Sequence, residues 1–282
     1  MVRKAAFLLG AAEEPAMVQA DGRRGRIGRN MIVNETTNRE HLLQAVHNNA
    51  VWCDTVCRSH GYPGEFRQGI WINRHETPRF YPNAVTLSPD VAAFVQLEAV
   101  QELVDAGLPA EWAIKDSFCA LDLTSLGFRV LFEAEWVFKS ALASRPDGGL
   151  TGVSWVRVTG EPELAGWEMA WRGESVDGTA SSQARIFLPG LAAGETIAII
   201  AAYQDERIVA GAIGSRTGDV VGVSNVFVPA SDGERFRAGC IAAVMAAFPG
   251  MPLVGYEAGS DLAEARTMGF EALGPLRIWV KQ

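Results

Sequence analysis

Seven residues, Ser231-Asp232-Gly233-Glu234-Arg235-Phe236-Arg237, stand at the head of an apolar, alanine-rich run that continues to Phe248. If that run is a helix, its first amides lack internal partners and the positive end of its dipole faces outward. The segment is then a seat for an anion such as a diphosphate, with Arg235 and Arg237 adding charge. The competing reading is that it only caps the helix. A second Gly/Arg string, RGRIGR at 24–29, has no evident strand before it and no strong helix after it, so it is given no role. Metal chemistry is not expected. Cys53, Cys57, Cys119 and Cys240 lack a zinc-type pairing, and His41, His47, His60 and His75 lack an HExxH spacing.

The elements that must position such a site are clearest in the second half. ETIAIIAAYQ, RIVAGAIGSR and VVGVSNVFVP are apolar, β-rich runs separated by the turn-like DE and TGD, which predicts an antiparallel meander. A helix over Arg235–Phe248, a strand at PLVGYEA, a short helix at DLAEARTM and a last strand at EALGPLRIWVK follow. In the first half the spacing predicts a helix from Asn38, as N-cap, to Cys57, then short extended stretches at QGIWINR and NAVTL. Ser88, Pro89 and Asp90 read as the cap and first turn of a further helix stopped by Gly107. A strand at EWAIKDSF comes next. Aromatic and polar residues at FYPN (80–83) and IKDSF (114–118) either wall a pocket between the halves or fill the core.

GFRVLFEAEWVFK at 127–139 and GFEALGPLRIWVK at 269–281 both open on Gly-Phe, carry a leucine at the same place and close on Trp-Val and a lysine. The repeat, together with the Pro/Gly-rich SRPDGGLTG at 144–152, implies a duplicated chain. The expected organisation is an irregular leader over 1–33, a first domain over 34–145, a linker over 146–152 and a second domain over 153–282.

The chain of 282 residues carries a net charge of −8, and both halves are acidic. Such a balance argues against general nucleic-acid or membrane-surface binding and suits an amine substrate or simply a solvated surface. No apolar run has the length of a membrane helix, and too few cysteines for a disulfide framework make reduced thiols in the cytoplasm the expectation.

The second half resembles the GNAT superfamily of acyl-CoA-dependent N-acyltransferases. The resemblance is carried by VVGVSNVFVP, by ASDGERFRAGCIAAVMAAF, by PLVGYEA and by the turn MGFEALG, and the first half resembles a degenerate second copy. It implies an α/β (α+β) fold of two tandem domains, each a mixed, mostly antiparallel sheet flanked by helices. It also implies acetyl-CoA as acyl donor, and a small-molecule or peptide amine as acceptor. Cofactor contacts would fall on Val226, Phe227, Val228, Gly233, Arg235, Phe236 and Arg237, with backbone donors near Asn225 aimed at the thioester oxygen. The family loop runs Arg/Gln-x-x-Gly-x-Gly/Ala, and Asp232, Arg235 and Arg237 stand at those positions. The usual acid, a tyrosine four residues before Gly-Phe, is replaced by Ala265, with Leu123 in the first copy. Tyr256 or Tyr203 is the substitute acid and Glu257 the candidate base. TLSPD, acidic and without glycine, makes a cofactor in the first copy unexpected. The alternative is a non-catalytic ligand-binding or interaction protein on the same fold. An aminoacyl-tRNA-dependent transferase would need a basic groove. Homo-oligomer formation is left open.

Overall fold

The computed structural model describes residues 30–108, 111–174 and 184–281. Most of the expected leader lies outside the described residues. Its last residues do not fit the expectation of irregular chain, because the first helix, α1, runs Asn30–Ser59 and places Asn38 inside it rather than at its cap. The strands β1 (Glu65–Arg67), β2 (Ile70–Ile72) and β3 (Ala84–Thr86) follow, then helix α2 (Ala93–Asp105) and β4 (Trp112–Asp116). Ser88 does not cap α2. Its hydroxyl accepts the Asp90 amide within a loop, and the helix starts after Ala92 without a side-chain cap. A 3-10 turn at Thr124–Leu126 leads into β5 (Phe128–Lys139).

The second half contributes β6 (Ser154–Arg157), α3 (Glu161–Arg172), β7 (Ile197–Gln204), β8 (Arg207–Thr217) and β9 (Val220–Phe227). Helix α4 (Gly233–Ala247), β10 (Leu253–Glu257), α5 (Gly259–Thr267) and β11 (Glu271–Lys281) complete it. The meander, both later helices and the last strand sit where the sequence predicts them; β1, β6 and α3 were not read from it. No described helix is long and apolar enough to cross a membrane.

The fold is mixed α/β with a mostly antiparallel sheet. The sequence expects one sheet per half, but the described strands form a single sheet in the order β1-β2-β3-β4-β11-β5-β10-β9-β8-β7-β6. The last strand of each half is inserted beside a strand of the other: β11 pairs with β4, β5 pairs with β10, and the two pair antiparallel with each other. The repeated sequence explains this exchange. Lys139, closing the first copy of the repeat, donates its ammonium to the carbonyl of Met268, just before Gly269-Phe270. Lys281, closing the second, donates to the carbonyl of Leu126, just before Gly127-Phe128. Gly127 and Gly269 both take φ near +80°, at +79° and +82°, which an L side chain rarely adopts.

Alternation along the strands separates the layers. On β7, Ile197, Ile199 and Ala201 join a core with α1 and α3, while Ala198, Ile200 and Ala202 pack towards α4. On β4, Ala113 faces the α1 core and Ile114 the α2 core. Trp71, Trp136 and Trp167 are fully buried, each contributing about 2–3 kcal/mol of apolar burial.

Candidate functional site

Helix α4 follows β9, and β10 returns parallel to β9. The two strands pair only at Leu253↔Val221 and Val254↔Gly222 and then diverge, leaving a wedge. Gly255 stands at its apex, where a Cβ would come within 3.1 Å of the Val223 carbonyl oxygen. On the other side of β9 the ladder to β8 slips between Gly211/Phe227 and Ile213/Ser224. Asn225 lies at that bulge with φ of 52°. A bulge takes residues out of the ladder and re-aims their backbone groups. The stretch expected to offer donors to a thioester oxygen is thus the irregular part of the strand.

The wedge is lined by Val223, Val226, Gly255, Glu257, Met268 and Phe270, with Arg237 across it. Its free volume is about 10 Å³, enough for roughly one water. Arg237 lines this space and is held from α5: Nε donates to Glu264 Oε2 at 2.8 Å and Nη2 to Asp261 Oδ1 at 3.0 Å. Only 10 % of its side chain is exposed, so this bridge from α4 to α5 is worth more than a surface ion pair. Phe236 is buried in the α4 core. Arg235 turns outward, its guanidinium donating to the carbonyls of Gly148 and Gly149. Those glycines belong to the expected linker, which packs on the first turn of α4; a Cβ on Gly148 would collide with the Arg235 carbonyl. Beside that turn lies a second pocket of about 310 Å³, lined among others by Thr151, Pro229, Ser231, Asp232 and Arg235. Gly233 begins α4 with a Cβ position 3.3 Å from Val228 Cγ2.

The remaining predicted residues are dispersed by strand alternation. The Val228 side chain packs towards α4, whereas the Phe227 ring goes to the opposite face, its centroid 5.4 Å from that of Trp167. Tyr256 and Glu257 are neighbours on β10 and point to opposite faces: Glu257 into the wedge, Tyr256 into the core under α1, against Trp136. Tyr203 lies on β7, separated from β10 by β8 and β9. Ala265 is buried in the α4 core.

The sequence reading missed the group that meets Tyr256. Lys115 Nζ, from β4, lies 3.4 Å from the Tyr256 hydroxyl and 2.8 Å from Asn49 Oδ1 on α1. Burial pulls its ammonium down, while Cys53 and Tyr256 push it up, and the balance leaves it raised. Burial likewise raises the Cys53 thiol. The only signal was a Lys-Asp pair at the end of a short strand, with nothing nearby in sequence to show its partners. Asp261 and Glu264, also missed, stand i,i+3 on a short helix and so share a face. In the first half, β3 and β4 form the equivalent parallel pair, but Ser117 N donates to Thr86 Oγ1 at 2.7 Å and closes it. Among the described residues no cluster of His, Cys, Asp or Glu can hold a metal ion.

A bulged strand, a parallel neighbour that splays from it and a helix starting at the opening are the arrangement that the resemblance of the second half implies. Solved structures agree with it. A GCN5-related N-acetyltransferase from Kribbella flavida superposes with a TM-score of 0.56 at 17% identity, over 84% of this chain and 95% of that one. A functionally unknown conserved protein from Staphylococcus epidermidis gives 0.54 at 12% identity, over 78% and 94%. No protein-family model and no curated protein matches the sequence. The chain therefore has the fold of the GCN5-related N-acetyltransferases.

Proposed function

We propose that the chain is an acyl-CoA-dependent N-acyltransferase that moves an acetyl group from acetyl-CoA to the amine of a small molecule or peptide. The observation that carries this reading is the wedge between β9 and β10, opening beside a bulge and a helix N-terminus. In the reaction the amine nitrogen attacks the thioester carbonyl carbon. The oxygen gains charge, which the backbone near Asn225–Val228 stabilises, and the C–S bond then breaks. Glu257, which lines the wedge, accepts the proton lost by nitrogen, and the thiolate takes its proton from solvent, because the Tyr256 side chain lies on the α1 face against Lys115.

For the cofactor to enter, Arg237 must leave Asp261 and Glu264. The bridge between α4 and α5 therefore acts as a latch that cofactor binding must release. α5, which carries both carboxylates, has nine residues and is the wall with least to lose by moving. Incubation with acetyl-CoA and a panel of amines, with chromatographic detection of free CoA and acetylated product, tests the proposal. Amine-dependent release is expected; none across the panel would reject it.

The second reading, a non-catalytic binding protein on this fold, is favoured by the same bridge taken as permanent. Arginines at 235 and 237 occupy positions where small residues would let the backbone approach phosphate. It predicts no thermal stabilisation by CoA, acetyl-CoA or longer acyl-CoAs.

A further inference from the structure

Under α1, at the seam of the two halves, lies a charged group without a counter-ion. Lys115 is 7% exposed, and its ammonium meets an amide oxygen, a phenol and, at 4.0 Å, the Cys53 thiol. Its nitrogen also lies 4.8 Å from the centre of the Tyr256 ring. No carboxylate pairs with it among the described residues. Other buried charges are treated differently. Asp54 is met by Arg58, the Gly64 amide and the Trp71 indole. Glu168 is met by Arg172 and the amides of Ile186 and Phe187. Asp116 accepts the amides of Ala120 and Leu121. Lys139, the other buried lysine, meets a backbone carbonyl, and burial lowers its ammonium; the Lys115 ammonium is raised.

Unpartnered hydrogen-bonding groups gather at the same place. The Tyr81 hydroxyl is buried without a well-aligned hydrogen bond, close to Cys53, Tyr256 and the Trp52 indole. Ser224 Oγ is also buried without a partner. Ser224 lies two residues beyond Gly222, the last β9 residue paired with β10, and Tyr256 lies two beyond Val254, its partner. Both therefore stand on the α1 face where the strands part, next to the bulge at Asn225. Tyr256, Asn49 and Ser224, at the rim of the cluster, keep partial exposure. Buried polar groups left unsatisfied at one spot mark a place that something polar fills, and a buried cation without a counter-charge calls for an anion.

We propose that Lys115, supported by Tyr81, Ser224 and Tyr256, forms an anion-binding subsite on the acceptor side of the wedge, and that the amine taken there also carries a carboxylate. The word acceptor rests on the transferase reading; the binding site does not. An amine with a carboxylate one or two atoms away, as in an α-amino acid, brings the counter-ion to Lys115 and its nitrogen towards the bulge.

The test is calorimetric titration of the full chain with L-leucine, L-phenylalanine and L-glutamate, and with isoamylamine and phenethylamine, which lack the carboxylate. At least one amino acid should bind about tenfold or more tightly than the amine lacking its carboxylate. Lys115→Met, close in volume, should abolish that preference while the unliganded variant melts no lower than the parent. The proposal is overturned by equal binding of the carboxylate-free amines, by no binding of any amino acid up to about 10 mM, or by a preference retained in Lys115→Met. A lowered melting temperature of unliganded Lys115→Met would equally overturn it, since the lysine would then be holding the fold. A chain that binds amino acids through Lys115 yet never consumes acetyl-CoA keeps the subsite and loses the transferase.

Discussion

Arg237 stands where a phosphate loop would need its smallest residue, and its side chain runs to Asp261 and Glu264 instead of to solvent. Truncation to alanine removes the latch and leaves two half-exposed carboxylates facing each other. Arg237→Ala is therefore expected to lose about 1–3 kcal/mol in urea unfolding while gaining affinity for acetyl-CoA. A variant as stable as the parent would show that the bridge contributes nothing. Glu257→Gln should lower turnover by about 10²-fold or more if the carboxylate takes the amine proton, with little change in the acetyl-CoA KM. Cysteine supplies a pH prediction. Burial, with Cys53 and Asp54 nearby, pushes the Cys57 thiol from the ordinary 9.0 up to about 12. In the unfolded chain that thiol ionises first, so its contribution to stability is complete below pH 9.0 and lost as pH rises towards 12. Urea midpoints at pH 8 and 10 should show the fall, and Cys57 should resist alkylation at pH 8 in the native protein. At this scale the sequence was half legible. Arg235 and Arg237 do stand at the start of a helix and Glu257 on a strand, as read, but the partners of the arginines were not legible. The opposition of Tyr256 and Glu257, which follows from simple alternation, was missed. Lys115 was hidden because its partners come from α1 and β10, far away in the chain.

The elements succeed where periodicity and punctuation agree. β7, β8 and β9 are apolar runs with short turns, and the hairpins fall where expected. Ser88 misled because its hydroxyl serves the Asp90 amide two residues on, a local turn that competes with helix capping. Asn38 misled because α1 continues through it. Close approach between elements is concentrated at a few glycines. At Gly222 a Cβ would land on Asn48 Oδ1, whose amide holds the Ser215 carbonyl at 2.8 Å and ties α1 to β8. Gly222→Ala should cost about 2–4 kcal/mol by forcing Asn48 aside, checked by denaturant titration. A loss below about 0.5 kcal/mol would show that α1 can shift freely.

Across the whole molecule the unusual feature is reciprocity. Each half ends in a strand lodged next to the other half, and each terminal lysine holds the turn that starts the other's strand. We propose that the halves are tandem copies, the first degenerate, joined by an exchange of their last strands; the repeated thirteen residues suggest the copies, and their pairing is beyond any single-sequence argument. Cleavage within 146–152 should accordingly leave fragments that co-elute and separate only in denaturant; independent elution would contradict the exchange. The central claim is that the wedge between β9 and β10 admits an acyl-CoA once Arg237 lets go. Calorimetric titration of acetyl-CoA into the intact chain tests it most directly. Saturable binding at one site, strengthened in Arg237→Ala and displaced by CoA, is the predicted result; no binding to the parent chain at about 1 mM contradicts it.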